Sequence, residues 1–115
     1  CALPIYLVEI PVTTAMLRGK RLAAGGGGFF RVLPYGFSRW AIRQVNREGH
    51  PAVFYFHPWE VDPGQPRVAD APLRSRLRHY TNLTRMEAKL ERLLRDFAWG
   101  RVDEVVQLES AREAA

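Results

Sequence analysis

The stretch Val53-Phe54-Tyr55-Phe56-His57-Pro58-Trp59-Glu60 decides how this chain is read. An apolar run of strand-forming residues stops at a histidine, and the proline after it cannot continue a hydrogen-bonded ladder. The sequence therefore predicts a strand over Ala52–His57, with an imidazole at its C-terminal lip. Sheets of α/β proteins place their chemistry at such lips. Val53, Tyr55 and His57 would share one face, and Ala52, Phe54 and Phe56 the other.

Working outward, Pro34 opens a helical pattern carried by Phe37, Trp40, Ala41 and Val45, and Gly49 marks its stop. Before it lies Leu3–Thr14, a β-prone segment that Pro11 limits to an end or an edge. Leu17 to Leu22 reads as a basic loop, and Gly25 to Gly28 as an open one. Strand, helix, strand is an α/β pattern. Asp62–Pro72 holds three prolines and one glycine and reads as a long surface loop. Arg74–Tyr80 suits a short helical turn. Thr84–Phe97 is the clearest helix, with Met86, Leu90, Leu93, Leu94 and Phe97 as its apolar stripe. Thr84 and Glu87 have capping-box spacing, and Gly100 follows the stop. Val102, Val105, Val106 and Leu108 suggest one more short element before a flexible tail, 109–115. The fold class expected is α/β, with few strands and two or three helices, and not a closed barrel by itself.

The 115 residues, 47% hydrophobic, make a single domain with a modest core. No apolar run approaches the roughly 20 residues that cross a bilayer. One cysteine excludes an internal disulfide framework and a thiolate metal site. The net charge of +5 is spread along the chain and interleaved with acids, which favours a solvated surface over a nucleic-acid footprint.

Four sets of residues carry candidate chemistry. His57, with a carboxylate partner, can protonate a leaving group; otherwise it holds the strand end by a loop hydrogen bond. Glu9 sits between Val8 and Ile10, where a buried acid needs a partner; it pairs with His57 across neighbouring strands or lies on an exposed edge. Trp59 either forms a sugar platform or caps the core. Phe29, Phe30 and Arg31 either stack on a sugar ring or pack inside. The four glycines match no phosphate-binding motif and do not open directly onto a helix; they let backbone pass close to substrate or to another segment. His50 and His79 have no metal-ligand spacing with each other or with His57. Arg74, Arg76, Arg78 and Arg85 read as solvated.

The runs GGGGFFRVLPYGFSRWAI, NREGHPAVFYFHPWEVDPGQPR and RLRHYTNLTRMEAKLERLLRDFAWGRVDEV together resemble the C-terminal region of bacterial polysaccharide deacetylases. The subgroup is that of exopolysaccharide loci of the exosortase/PEP-CTERM type, whose C-terminal region is often set apart as a domain of unknown function. The resemblance implies a segment of a NodB-like distorted (β/α) barrel and an N-acetylated polysaccharide as substrate. It implies zinc or another divalent metal for the complete enzyme. By the resemblance His57 matches the general acid, and Glu9 is the carboxylate that tunes it. Trp59, Phe29, Phe30 and Arg31 would then shape the sugar subsite. The family's metal and base motifs have no counterpart here, so the expectation is that a missing N-terminal half supplies them. The chain alone is then inactive, and its exposed strand edges favour self-association. The rival expectation is a noncatalytic glycan-binding or assembly module.

Overall fold

A computed structural model describes residues 9–105. It is mixed α/β: a two-stranded antiparallel sheet and four helices. The first strand, β1, runs Thr14–Leu17 and the second, β2, Lys20–Ala23, paired in the register Thr14↔Ala23 through Leu17↔Lys20. Arg18 and Gly19 join them with φ of 50° and 78°. Two central residues with positive φ make the tight turn whose twist suits a hairpin. A hairpin thus replaces the loop expected over Leu17–Leu22. It begins where the expected strand Leu3–Thr14 ends; residues 1–8 of that expectation lie outside the described residues.

After the hairpin come α1 (Gly27–Val32), α2 (Tyr35–Arg47), a 3₁₀ turn (Pro58–Val61), α3 (Leu73–Tyr80) and α4 (Leu83–Asp96). Pro34 stands at the N-cap of α2, and Gly49 follows it at φ 86°, as the sequence predicts. The short helix near Arg74 is also present. The glycines do open directly onto a helix, α1, against expectation. A further helical turn covers 102–105; the expected tail 109–115 lies outside the described residues.

Phe30, Ile42, Met86 and Leu93 form the main core, with Tyr35, Ala52, Phe54, Val61, Leu90 and Phe97 packed around it. Phe30 meets Phe54 edge to face at 5.0 Å. Ala15, Ala24 and Ala41 form a second, small cluster that seats the hairpin on α2. Small side chains at this contact let backbone approach backbone.

Two expectations fail locally. The segment before His57 is not a strand: it makes one parallel bridge, Gly26↔Tyr55, through Tyr55 N–H to Gly25 O (2.8 Å) and Gly27 N–H to Tyr55 O (3.0 Å). Among the described residues no second ladder covers its other edge, so regular pairing does not extend. The capping box at Thr84 is absent as well, because α4 starts at Leu83 after Asn82 in the left-handed conformation (φ 57°). The Asn82 amide is used elsewhere, donating to the Arg31 carbonyl at 2.9 Å.

Candidate functional site

The glycines set the site's floor. A Cβ on Gly25 would lie 2.3 Å from the Val53 carbonyl, and one on Gly27 would lie 2.2 Å from Glu60 Oε2. These two positions admit only glycine without rearrangement, and they bring the 53–60 segment onto the start of α1. Gly28, by contrast, faces open space.

Glu60 and Arg31 are each only 2% exposed. Arg31 Nε donates to Glu60 Oε1 at 3.0 Å. The remaining guanidinium donors serve the C-terminal end of α3: Nη1 to the carbonyls of His79 (2.8 Å) and Thr81 (3.0 Å), and Nη2 to that of Arg78 (3.1 Å). A cation at a helix C-terminus answers both the orphan carbonyls and the negative end of the dipole. Lys89 does the same for α1, donating to the Leu33 carbonyl at 2.7 Å and, closely, to that of Phe30. Burial, with help from the Arg85 charge, lowers the Lys89 pKa.

The second oxygen of Glu60 holds His57. Oε2 accepts from the His57 N–H at 2.9 Å, and the Glu60 N–H donates to the His57 carbonyl at 2.9 Å. This exchange fixes the turn that presents the imidazole, with Pro58 at its first position. His57 is exposed; Tyr55 meets it edge to face at 5.9 Å, and Trp59 lies nearly parallel at 5.8 Å. Trp59 in turn stacks on His79 at 4.0 Å and carries the Arg31 guanidinium 5.0 Å from its centroid. His79 is oriented by Gln65 Oε1, 2.9 Å from its Nε2.

Tyr55, His57, Trp59, Glu60, His79 and Arg31 line an open cleft of about 670 Å³, together with Phe29, Ser75 and Arg78. Of the residues expected at the site, Phe29, Arg31, His57 and Trp59 meet there. Phe29 is 57% exposed and available, whereas Arg31 is committed to its internal bonds and supports the cleft wall. Phe30 lies in the core instead, because α1 turns it inward. Glu9 is exposed and makes no hydrogen bond to His57. The carboxylate that holds His57 is Glu60, three residues on. Sequence reasoning also missed His79 and Tyr55. The HPWE spacing carried the Glu60 signal, since a residue three positions into a turn can reach back to the main chain at its start.

Among the described residues, no group of three or more His, Cys, Asp or Glu side chains is placed to hold a metal ion. The cleft residues present therefore do not fit a metal centre. None of the described helices is long and apolar enough to cross a membrane.

Comparison with curated proteins and with solved structures gives no match. A family described as a domain of unknown function, DUF3473, matches residues 3–107, and the chain belongs to that family.

Proposed function

We propose that this domain is the C-terminal part of a polysaccharide deacetylase and contributes the proton-donating, sugar-holding side of an N-deacetylation site. The observation that carries this reading is the convergence of His57 and Trp59, from the HPWE turn, with Phe29, from α1, on one open cleft. The parallel bridge Gly26↔Tyr55 joins two segments that α1 and α2 separate, the direction of pairing that neighbouring strands of a (β/α) barrel have, and this supports the reading.

In deacetylation, water adds to the acetamide carbonyl, the C–N bond breaks, and acetate and a free amine leave. The role that falls to His57 is to hand a proton to the departing nitrogen, the general-acid step. Its exposed ring can reach a bound sugar, and the Glu60 exchange keeps its backbone in place. Other residues of a complete enzyme would have to hold a metal, which would supply polarisation of the carbonyl and activation of the water. Trp59 has one face covered by His79, so sugar stacking is left chiefly to Phe29 and Tyr55.

The test compares this chain with a longer one extended N-terminally from its gene, on N-acetylhexosamine oligomers with added zinc. Activity confined to the longer chain, and lost on His57→Ala with KM little changed, is expected. Undiminished kcat in the His57→Ala enzyme overturns the acid role. The exposure of Phe29 favours a second reading, a noncatalytic glycan-binding or assembly module. That reading gains if glycan binding persists without any hydrolysis in either chain.

A further inference from the structure

On α2, away from the residues of the cleft, Arg39, Arg43 and Arg47 recur every four positions. Residues four apart stand on one side of a helix, about 6 Å apart along its axis. They line an open groove of about 550 Å³ with Trp40, Gln44 and Gly36, and no residue is common to this groove and the His57 cleft. Glu48 is the acid in the lining.

The partners of these side chains are uneven. Arg39 Nε lies 3.2 Å from Asp96 Oδ2, without hydrogen-bond geometry. Arg43 and Arg47 have no ion-pair or hydrogen-bond partner among the described residues. Two buried side-chain polar atoms among the described residues lack a hydrogen bond, Arg39 Nε and Gln44 Oε1, and both belong to this groove. Unpaired buried polar atoms are uncommon in folded chains and call for a specific account. Gln44 Oε1 loses no hydrogen bond when the amide turns outward to meet a donor. Trp40 is 38% exposed beside them, tilted against Phe37 at 5.6 Å.

We propose that this groove binds a short carboxylate-bearing oligosaccharide. Each group in it asks for a different part of such a ligand. Arg43 and Arg47 take carboxylates, for which a guanidinium fork is the matching donor. Gln44 Oε1 takes a hydroxyl donor, and the part-exposed Trp40 ring takes the apolar face of a sugar. A DNA strand satisfies the arginines but offers few hydroxyl donors. It also calls for a longer basic track than three arginines flanked by Glu48 and Asp96. The proposal concerns a separate site and stands whether or not the cleft deacetylates anything.

The experiment is calorimetric titration of the full chain with a galacturonic acid tetramer. A neutral glucose tetramer without N-acetyl groups and an oligothymidylate of equal charge serve as comparisons. Expected is binding of the uronate at least tenfold tighter than either comparison. It should weaken at least tenfold in the Arg43→Gln/Arg47→Gln chain and severalfold in Gln44→Leu. The Arg74→Gln/Arg76→Gln chain, which loses the same charge on α3, should stay within twofold, as should His57→Ala. Circular dichroism of each variant confirms an unchanged fold. Equal binding of the neutral tetramer, tighter binding of the oligothymidylate, no binding of the uronate, or equal weakening by the two arginine pairs overturns the proposal.

Discussion

Replacing Arg31 by methionine should be the most damaging conservative-volume change in the chain. The substitution strands the Glu60 carboxylate at 2% exposure, with only the His57 N–H left to it. Breaking a buried ion pair from one side costs about 3–5 kcal/mol, because the remaining charge keeps its desolvation penalty. Three carbonyls at the end of α3 also lose a charged donor, but that end is half-exposed and water replaces most of the loss. A total near 4 kcal/mol is a large share of the ~5–15 kcal/mol that holds a domain folded. At a urea slope of about 2 kcal/mol/M, the midpoint should fall by about 2 M. Tryptophan fluorescence is a suitable reporter, since Trp59 lies 5.0 Å from the guanidinium. The double variant Arg31→Met/Glu60→Gln removes the stranded charge and should recover about half the loss. A midpoint shift below about 0.5 M for the single variant would refute this reasoning. A double variant no better than the single would show that the stranded carboxylate is not the cause.

Three further outcomes follow from the same geometry. Gly27→Ala drives a methyl into the Glu60 carboxylate and should cost about 1–3 kcal/mol, while Gly28→Ala, facing open space in a helix, should be neutral or stabilise by up to about 1 kcal/mol; thermal melts of the pair measure the contrast. Tyr35 has its pKa pushed up to about 12, first by burial and then by its 2.7 Å hydrogen bond to Asp96. Its folded value exceeds the ordinary 10, so its contribution to stability is complete below pH 10 and is lost as pH rises toward 12. Asp96→Asn should bring the slow tyrosine of an ultraviolet titration down, though not fully to 10, because burial remains. Glu60→Gln keeps one acceptor where two are used, so amide exchange at His57 should quicken by about tenfold or more; unchanged exchange would show that the carboxylate does not hold the turn.

Helices were the legible part of the fold. α2 and α4 follow their apolar spacing, and Pro34 and Gly49 punctuate α2 as local chemistry requires. The strand expected before His57 does not form, because periodicity reports burial and β-propensity while a ladder also needs neighbours on its edges. The hairpin was hidden by its basic composition: Arg18 occupies a positive-φ position that turn statistics give to asparagine, aspartate or glycine. At the site, the histidine and its tryptophan are adjacent in sequence and were visible. Glu60 stands three residues after His57, a spacing the sequence shows, but its burial rests on Arg31, 29 residues away, which spacing does not show. His79 reaches Trp59 only after the 62–72 loop returns the chain, and spacing alone carries no trace of that.

Arg31 and Glu60 also explain why the cleft needs both halves of the described chain. One wall comes from α1 and the HPWE turn, and the other from α3, which has no buried residue of its own. A helix without an apolar anchor needs other contacts to stay docked, among them the Arg31 bonds to its last carbonyls, the stacking of His79 on Trp59 and the Gln65–His79 hydrogen bond. Glu60 then links the two walls, one oxygen on the cation that holds α3 and the other on the backbone of His57. A ligand that displaces α3 therefore has two routes to His57, the Glu60 carboxylate and the Trp59 ring stacked between His79 and His57. A substitution on the cleft face of α3 that leaves Arg31 untouched, such as Ser75→Ala, should spare stability while changing what the cleft admits.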